Sequence, residues 1–254
     1  NDAARALGIQ SGLSAAIALK RAPNALFLPP RHDVYERYSI RVMAVLREAS
    51  PLVEQNSIDE AACVWPHGFE SEQALALQAR VLAETKISVS LGIATSALVA
   101  KMASEAAKSL PDHVFVVQPG EEAAFLAPLP VRALVGIGPK AEARVVAQGI
   151  KTIGALAARP PAALVALFGR AYGHYLHEAS RGIAETELHA ERTSKSISAE
   201  HTFSTDTTDR HALWAELHDQ AEEVAGRLKQ EGLLAGHVAI KVRYANWQTF
   251  TRQM

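Results

Sequence analysis

Leu52-Val53-Glu54-Gln55-Asn56-Ser57-Ile58-Asp59-Glu60-Ala61-Ala62-Cys63-Val64-Trp65 is the stretch on which the fold turns. Residues 52–57 and 61–65 read as two short apolar strands about a tight junction, and the junction carries two adjacent acids. Neighbouring side chains of an extended strand point to opposite faces, but at a bend both carboxylates can approach the same pair of hard cations. Mg²⁺ favours such oxygen donors. A chain with 27 acidic residues holds about one Asp-Glu pair by chance, so the dipeptide gains meaning only from its setting.

Working outward, residues 14–21 predict a short helix ended before Pro23, and residues 25–28 a short apolar strand bounded by Pro29-Pro30. From Asp33 a helix runs with Val34, Tyr38, Val42, Val45 and Leu46 as one buried stripe, until Pro51 ends it. Beyond the acids come a helix at 71–84, a strand at 88–92, a helix at 96–108 and a strand at 114–117. Helices on one face of a small mixed sheet would account for this order. Gln118-Pro119-Gly120-Glu121-Glu122 punctuates like a linker, and short helices follow to about Gly182.

Within those helices, Leu134-Val135-Gly136-Ile137-Gly138-Pro139-Lys140 has two readings. Gly136 and Gly138 allow a tight hairpin whose backbone amides, with Lys140, hold a phosphate at the start of the next helix. The plainer reading is a capping turn with Pro139 at the first helical position. A second helix pair through Gly149, in Gln148-Gly149-Ile150-Lys151-Thr152, is what a helix-hairpin-helix clamp on a DNA backbone requires. A last segment begins near Arg192, with a strand at 195–198, a helix at 211–228 that aligns Leu213, Leu217, Val224 and Leu228, and a strand at 237–244. In that strand Val238, Ile240, Val242 and Tyr244 face one way, while Lys241 and Arg243 share the other, as solvated charges or as a grip on phosphate. Thr249, Thr251 and Arg252 would continue a partner strand.

Composition bounds the rest. With 254 residues and 48% apolar content, two or three domains can each bury a core. Twenty-six basic residues against 27 acidic ones give no overall positive field, so any DNA affinity must come from local patches. The single cysteine, Cys63, excludes an internal disulfide framework and reads as buried and inert. Residues 87–100, the least charged run, carry hydroxyls and fall short of the roughly 18 apolar residues of a spanning helix, so a soluble protein is expected. The start, Asn1-Asp2-Ala3-Ala4-Arg5, has neither an initiator Met nor a signal pattern and reads as a cut end.

Ser57-Ile58-Asp59-Glu60-Ala61 resembles the palm motif of the Y-family, translesion-type DNA polymerases. Ala4-Arg5-Ala6-Leu7-Gly8-Ile9-Gln10-Ser11-Gly12-Leu13 is similar to their fingers motif, and Gly92-Ile93-Ala94 with Ala100-Lys101-Met102-Ala103-Ser104 to a further palm motif. Phe125-Leu126-Ala127-Pro128-Leu129-Pro130-Val131-Arg132 with Gly136-Ile137-Gly138 matches the thumb, and Lys195-Ser196-Ile197-Ser198-Ala199-Glu200-His201-Thr202-Phe203 the little finger. The order agrees from about residue 3 to residue 252.

The resemblance implies an α+β, multidomain right-hand polymerase, with fingers at 1–31, a mixed-sheet palm at 32–118, a helical, helix-hairpin-helix thumb at 119–190 and a partial α/β little finger at 191–254. It implies error-prone, template-directed DNA synthesis from dNTPs on primer-template DNA, with two Mg²⁺, in the cytoplasm and away from membranes, and a sliding clamp as partner. Carried onto this chain, Asp59 and Glu60 become metal-binding catalytic acids, Arg5 and Lys101 triphosphate contacts, and Ser11 and Gly12 the small residues that roof the nascent pair and leave room for a damaged base. Gly136, Gly138, Lys140, Lys195, Ser196, Lys241, Arg243 and Arg252 become DNA contacts. The acids are expected at the sheet edge, their carboxylates converging on one open groove.

The pattern has departures. Asp2 stands for a usual tyrosine, Asn56 and Ala62 for aromatics beside the acids, and Ser96-Ala97 for Asn-Lys. The family's first aspartate and its sugar-selecting aromatic would precede residue 1, so the expectation is a chain cut at both ends and impaired by itself. A noncatalytic, DNA-binding accessory subunit is the alternative that the helix-hairpin-helix alone would suit.

Overall fold

Asn1 caps the first helix, its side-chain oxygen accepting from the Ala4 amide at 2.9 Å, and α1 spans Asp2–Ala6. Ser14 does the same for α2 (Ala15–Arg21). The computed structural model describes residues 1–190 and 194–254, with Asp2 as backbone only. The strand expected at residues 25–28 is not formed. Hemmed in by prolines and without a partner strand among the described residues, that run lies exposed, Leu26 at 83% and Leu28 at 75%.

Helix α3 (His32–Ala49) forms as expected and keeps most of the predicted stripe, with Val45 buried and Val34, Val42 and Leu46 half-buried. Tyr38 departs from it and is exposed, while Ser39 and Met43 are buried. A buried serine is tolerated because the Gln55 amide donates to its hydroxyl at 3.3 Å. Strands β1 (Val53–Gln55) and β2 (Ala61–Cys63) then pair antiparallel, Val53 opposite Cys63 and Gln55 opposite Ala61. The amides of Asn56 and Ser57 both reach the Glu60 carbonyl, at 2.9 and 3.1 Å, and close the bend around Ile58 and Asp59.

Helix α4 (Ser71–Thr85) leads to β3 (Leu91–Ile93), α5 (Ala97–Ala107) and β4 (Val114–Val116). β3 and β4 pair in parallel, Leu91 opposite Val114. The single mixed sheet expected from the sequence does not form among the described residues. Among the described residues the β1–β2 hairpin and the β3–β4 pair are separate two-stranded sheets. Helix α5 packs against β2, β3 and β4 and so ties the two pairs together.

Short helices follow: α6 (Glu122–Leu126), α7 (Pro139–Val146), α8 (Ile153–Ala157), α9 (Pro161–Phe168) and α10 (Arg170–Ala179). Their core is continuous with that of α5. Val99, Met102 and Ala103 join Leu126, Leu134, Ile137, Val145, Ile153, Leu164 and Leu176 in one buried cluster. Residues 1–190 accordingly make one compact unit, and residues 191–254 make another.

In the second unit the side chain of Asp209 accepts from the His211 amide and caps α11 (Arg210–Gln230). β5 (Ala239–Arg243) and β6 (Thr249–Gln253) form an antiparallel hairpin. No strand forms at 195–198, and the expected start near Arg192 lies outside the described residues. Of the predicted stripe on α11, Leu213 is exposed, and no residue of that helix is fully buried. No helix among the described residues is long and apolar enough to cross a membrane.

Candidate active site and nucleic-acid interface

The bend between β1 and β2 presents both acids at the surface. Ser57 Oγ donates to Asp59 Oδ1 at 2.5 Å and accepts the Asp59 amide at 3.2 Å, a local turn that fixes the carboxylate. The Gln55 amide holds the Ser57 carbonyl at 3.0 Å and so ties this turn to Ser39 of α3. Glu60 Oε1 accepts from Lys101 Nζ across 41 residues of sequence. Lys101 also reaches Glu105 at 2.9 Å, and Lys108 reaches Glu105 at 2.7 Å.

Burial works to lower the Lys101 pKa, but hydrogen bonds to Glu60 and Glu105 outweigh it, and the amine sits above the ordinary lysine value. The Lys108 hydrogen bond, more than Lys101, holds the Glu105 carboxyl below its usual range against the opposing effect of burial. Lys101 therefore stays cationic throughout the neutral range. Asp59 turns to Ser57 and Glu60 to Lys101, and among the described residues no group of three or more His, Cys, Asp or Glu side chains gathers as a metal site.

Arg5 is exposed near the end of α1, and Ser11 and Gly12 lie exposed in the turn leading to α2, Gly12 with φ +82°. The Asp2 side chain lies outside the described residues. Ser96 is the N-cap of α5, its Oγ accepting from the Val99 amide at 3.4 Å, so this departure from Asn retains a capping oxygen. Burial pushes the half-buried Cys63 thiol up to about 11.

The paired-glycine hairpin forms. Ile137 N–H closes a turn on Leu134 O at 3.0 Å, Gly136 takes φ +90°, and Gly138 caps α7 with Pro139 at its first position. Lys140 is exposed in the first turn of that helix. Three side chains that sequence reasoning did not single out grip this hairpin. Tyr175 Oη donates to Val135 O at 2.6 Å, Tyr172 Oη to Gly136 O at 2.8 Å, and the Arg132 guanidinium to Ile137 O.

In the second unit Lys241 and Arg243 stand opposite Thr251 and Thr249 on one face of the hairpin. Arg252 stands opposite Ile240, which places it with Val242, Tyr244 and Phe250 on the other face. Lys241, Arg243 and Arg252 therefore do not form one patch. Lys195 and Ser196 are exposed in irregular chain.

A strand bend bearing an acid pair, a helical lysine against it and a glycine hairpin opening a helix define a class, that of the Y-family DNA polymerase fold. A Y-family polymerase chimera of Dbh and Dpo4 matches with a TM-score of 0.85 at 24% identity, over 100% of this chain and 74% of the other. DinB from Sulfolobus solfataricus gives 0.67 at 23%, over 100% and 74%. The architecture is thus α+β and multidomain, of the polymerase right-hand type.

The model of the impB/mucB/samB family matches residues 1–105, and that of the impB/mucB/samB family C-terminal domain matches residues 194–254. DNA polymerase IV of Halorhodospira halophila is 36% identical over 256 residues, covering 99% of this chain and 71% of that protein. DNA polymerase IV of Dehalococcoides mccartyi is 41% identical over 256 residues, 98% of this chain and 65% of its own length. The chain belongs to the impB/mucB/samB family.

Proposed function

We propose that the protein is a translesion-type DNA polymerase that adds deoxynucleotides from dNTPs to the 3′ end of a primer on template DNA. The observation that carries this reading is the Glu60–Lys101 contact. It sets a carboxylate suited to dications and an ammonium suited to a triphosphate side by side, in a chain whose family relatives are named DNA polymerase IV. Both acids are exposed, and both are hard oxygen donors on one bend, so their chemistry fits Mg²⁺.

Asp59 and Glu60, with a third carboxylate, would hold two Mg²⁺ ions, whose Lewis acidity supports the attacking and leaving oxygens of phosphoryl transfer. Lys101 and Arg5 neutralise the triphosphate, and Ser11 and Gly12 leave space over the nascent pair. Fingers are assigned to 1–31, palm to 32–118, thumb to 119–190 and little finger to 191–254. The amides of Gly136 and Gly138, with Lys140, Lys195, Ser196, Lys241 and Arg243, grip DNA phosphates without reading bases. Arg252 contributes from the other face of its hairpin. A cytoplasmic setting and a sliding-clamp partner complete the reading.

With two acids in place of three, the pair of Mg²⁺ ions would lack one carboxylate ligand, so the 254 residues alone should extend a primer weakly. The test is primer extension with Mg²⁺ and four dNTPs. It compares the 254 residues, the same residues joined to the amino-terminal segment that the family resemblance calls for, and the joined protein carrying Glu60→Ala. Extension by the joined protein and its loss by at least a thousandfold in Glu60→Ala, about 4 kcal/mol of transition-state stabilisation, are expected. Extension that survives Glu60→Ala would remove the catalytic assignment.

A further inference from the structure

Three consecutive carbonyls of the glycine hairpin, those of Val135, Gly136 and Ile137, are each taken by a side chain from elsewhere in the first unit. A trans peptide carries its C=O and N–H on opposite sides, so a carbonyl fixed toward one side fixes the next amide toward the other. With Val135 O on Tyr175 and Ile137 O on Arg132, the amides of Gly136 and Gly138 point away from these partners. The Ile137 amide is already used by Leu134. We infer that Tyr175, Tyr172 and Arg132 are positioning residues that hold the amides of the Gly136–Gly138 hairpin ready for a DNA phosphate, an inference that rests on the DNA-binding reading above.

Several features show that these contacts are built rather than incidental. The Tyr172 and Tyr175 rings stack, with centroids 6.1 Å apart and planes within 12°. Phe168 of α9 stands edge-on to Tyr172 at 5.4 Å. The Arg144 guanidinium of α7 lies 4.6 Å from the Phe168 centroid, so α7 is tied to the same aromatic cluster. A Cβ on Gly136 would lie 3.0 Å from Cε1 of Tyr175, so the hairpin backbone is seated directly against the ring. Arg132 also faces Glu142 of α7 at 3.5 Å and spans from the hairpin to the helix it opens. Burial raises both phenol pKa values, with Tyr172 adding to the rise at Tyr175, so both hydroxyls remain donors at neutral pH.

The test is anisotropy titration of primer-template DNA across a salt series with wild type, Lys140→Ala and the double variant Tyr172→Phe/Tyr175→Phe. Phenylalanine keeps the rings and removes only the two hydroxyls. A lost neutral hydrogen-bond donor releases no counterion, so the double variant should bind about fivefold more weakly at every salt concentration with its salt slope kept. Lys140→Ala should instead lower the slope by about one. A merely structural role would lower the melting temperature and leave binding below it unchanged; if the double variant melts early, Tyr175→Phe alone carries the same comparison. Wild-type affinity in the tyrosine variants, with a lowered slope in Lys140→Ala, would overturn the inference and leave the hairpin as a DNA contact. Wild-type binding by all the variants would overturn both.

Discussion

Burial sets the chemistry of Cys63, whose thiol is pushed up to about 11 from an ordinary value of 9.0. Thiolate is the reactive form, so at any pH below the ordinary value the folded protein holds about a hundredfold less of it than a free thiol does. Iodoacetamide should alkylate Cys63 about a hundredfold more slowly than free cysteine at pH 7.5, with a rate that climbs about tenfold per pH unit toward 11; alkylation at the free-thiol rate would show the site to be open. A thiol withdrawn from solvent was legible from a lone cysteine in an apolar strand, and so was the bend that carries the two acids. Arg132, Tyr172 and Tyr175 were not. Their partners are backbone carbonyls, two of them 36 and 40 residues away, and carbonyls carry no side-chain signal in a sequence.

The elements were legible wherever a periodic run met a cap or a proline, as in α2, α4 and α5 with their ends at Arg21, Thr85 and Ala107. The inward place of Ser39 beside an exposed Tyr38 on α3 was not, because the partner of the serine is Gln55 of a strand. Nor was the requirement at Gly92, where a Cβ would sit 2.1 Å from Ala100 O and 2.3 Å from Ser104 N, backbone atoms of α5. Such a methyl can be admitted only by moving α5, which carries Val99 and Met102 into the core and Lys101 toward Glu60. Gly92→Ala should therefore cost about 1–3 kcal/mol and lower the melting temperature by roughly 2–12 °C. Gly226→Ala, on α11 with nothing within 4 Å of the new methyl, should leave stability unchanged or raise it by about 0.5–1 kcal/mol. Thermal melts of the two variants decide the point. Equal melting of Gly92→Ala and wild type would mean that β3 and α5 are not in backbone contact.

At the scale of the whole molecule, near-neutral composition told little, and only the ordered series of motifs made the architecture legible. What the sequence could not show is how unevenly burial is shared. The largest fully buried side chains, from Val81 and Val99 to Leu164 and Leu176, all belong to residues 1–190. In the second unit every residue of β5 and β6 is exposed, Phe250 at 47%, as is Trp247 at 77% in the turn between them, and α11 buries no residue fully. A two-stranded hairpin without a covered apolar face is marginal in water, since its ladder hydrogen bonds open at little cost. Core amides of the first unit, by contrast, exchange only through openings that approach global unfolding, about 5 kcal/mol or more. At a factor of ten per 1.4 kcal/mol, that separates the two classes by about a thousandfold or more in rate. Hydrogen–deuterium exchange on the protein without DNA should find amides of 239–243 and 249–253 exchanged within minutes, while those of Val99 to Ala103 in α5 and of Leu176 in α10 persist for hours. If the β5–β6 amides proved as slow as those of α5, the second unit would have to possess a core of its own, and the exposure of Ile240, Val242 and Phe250 would not describe the protein in solution.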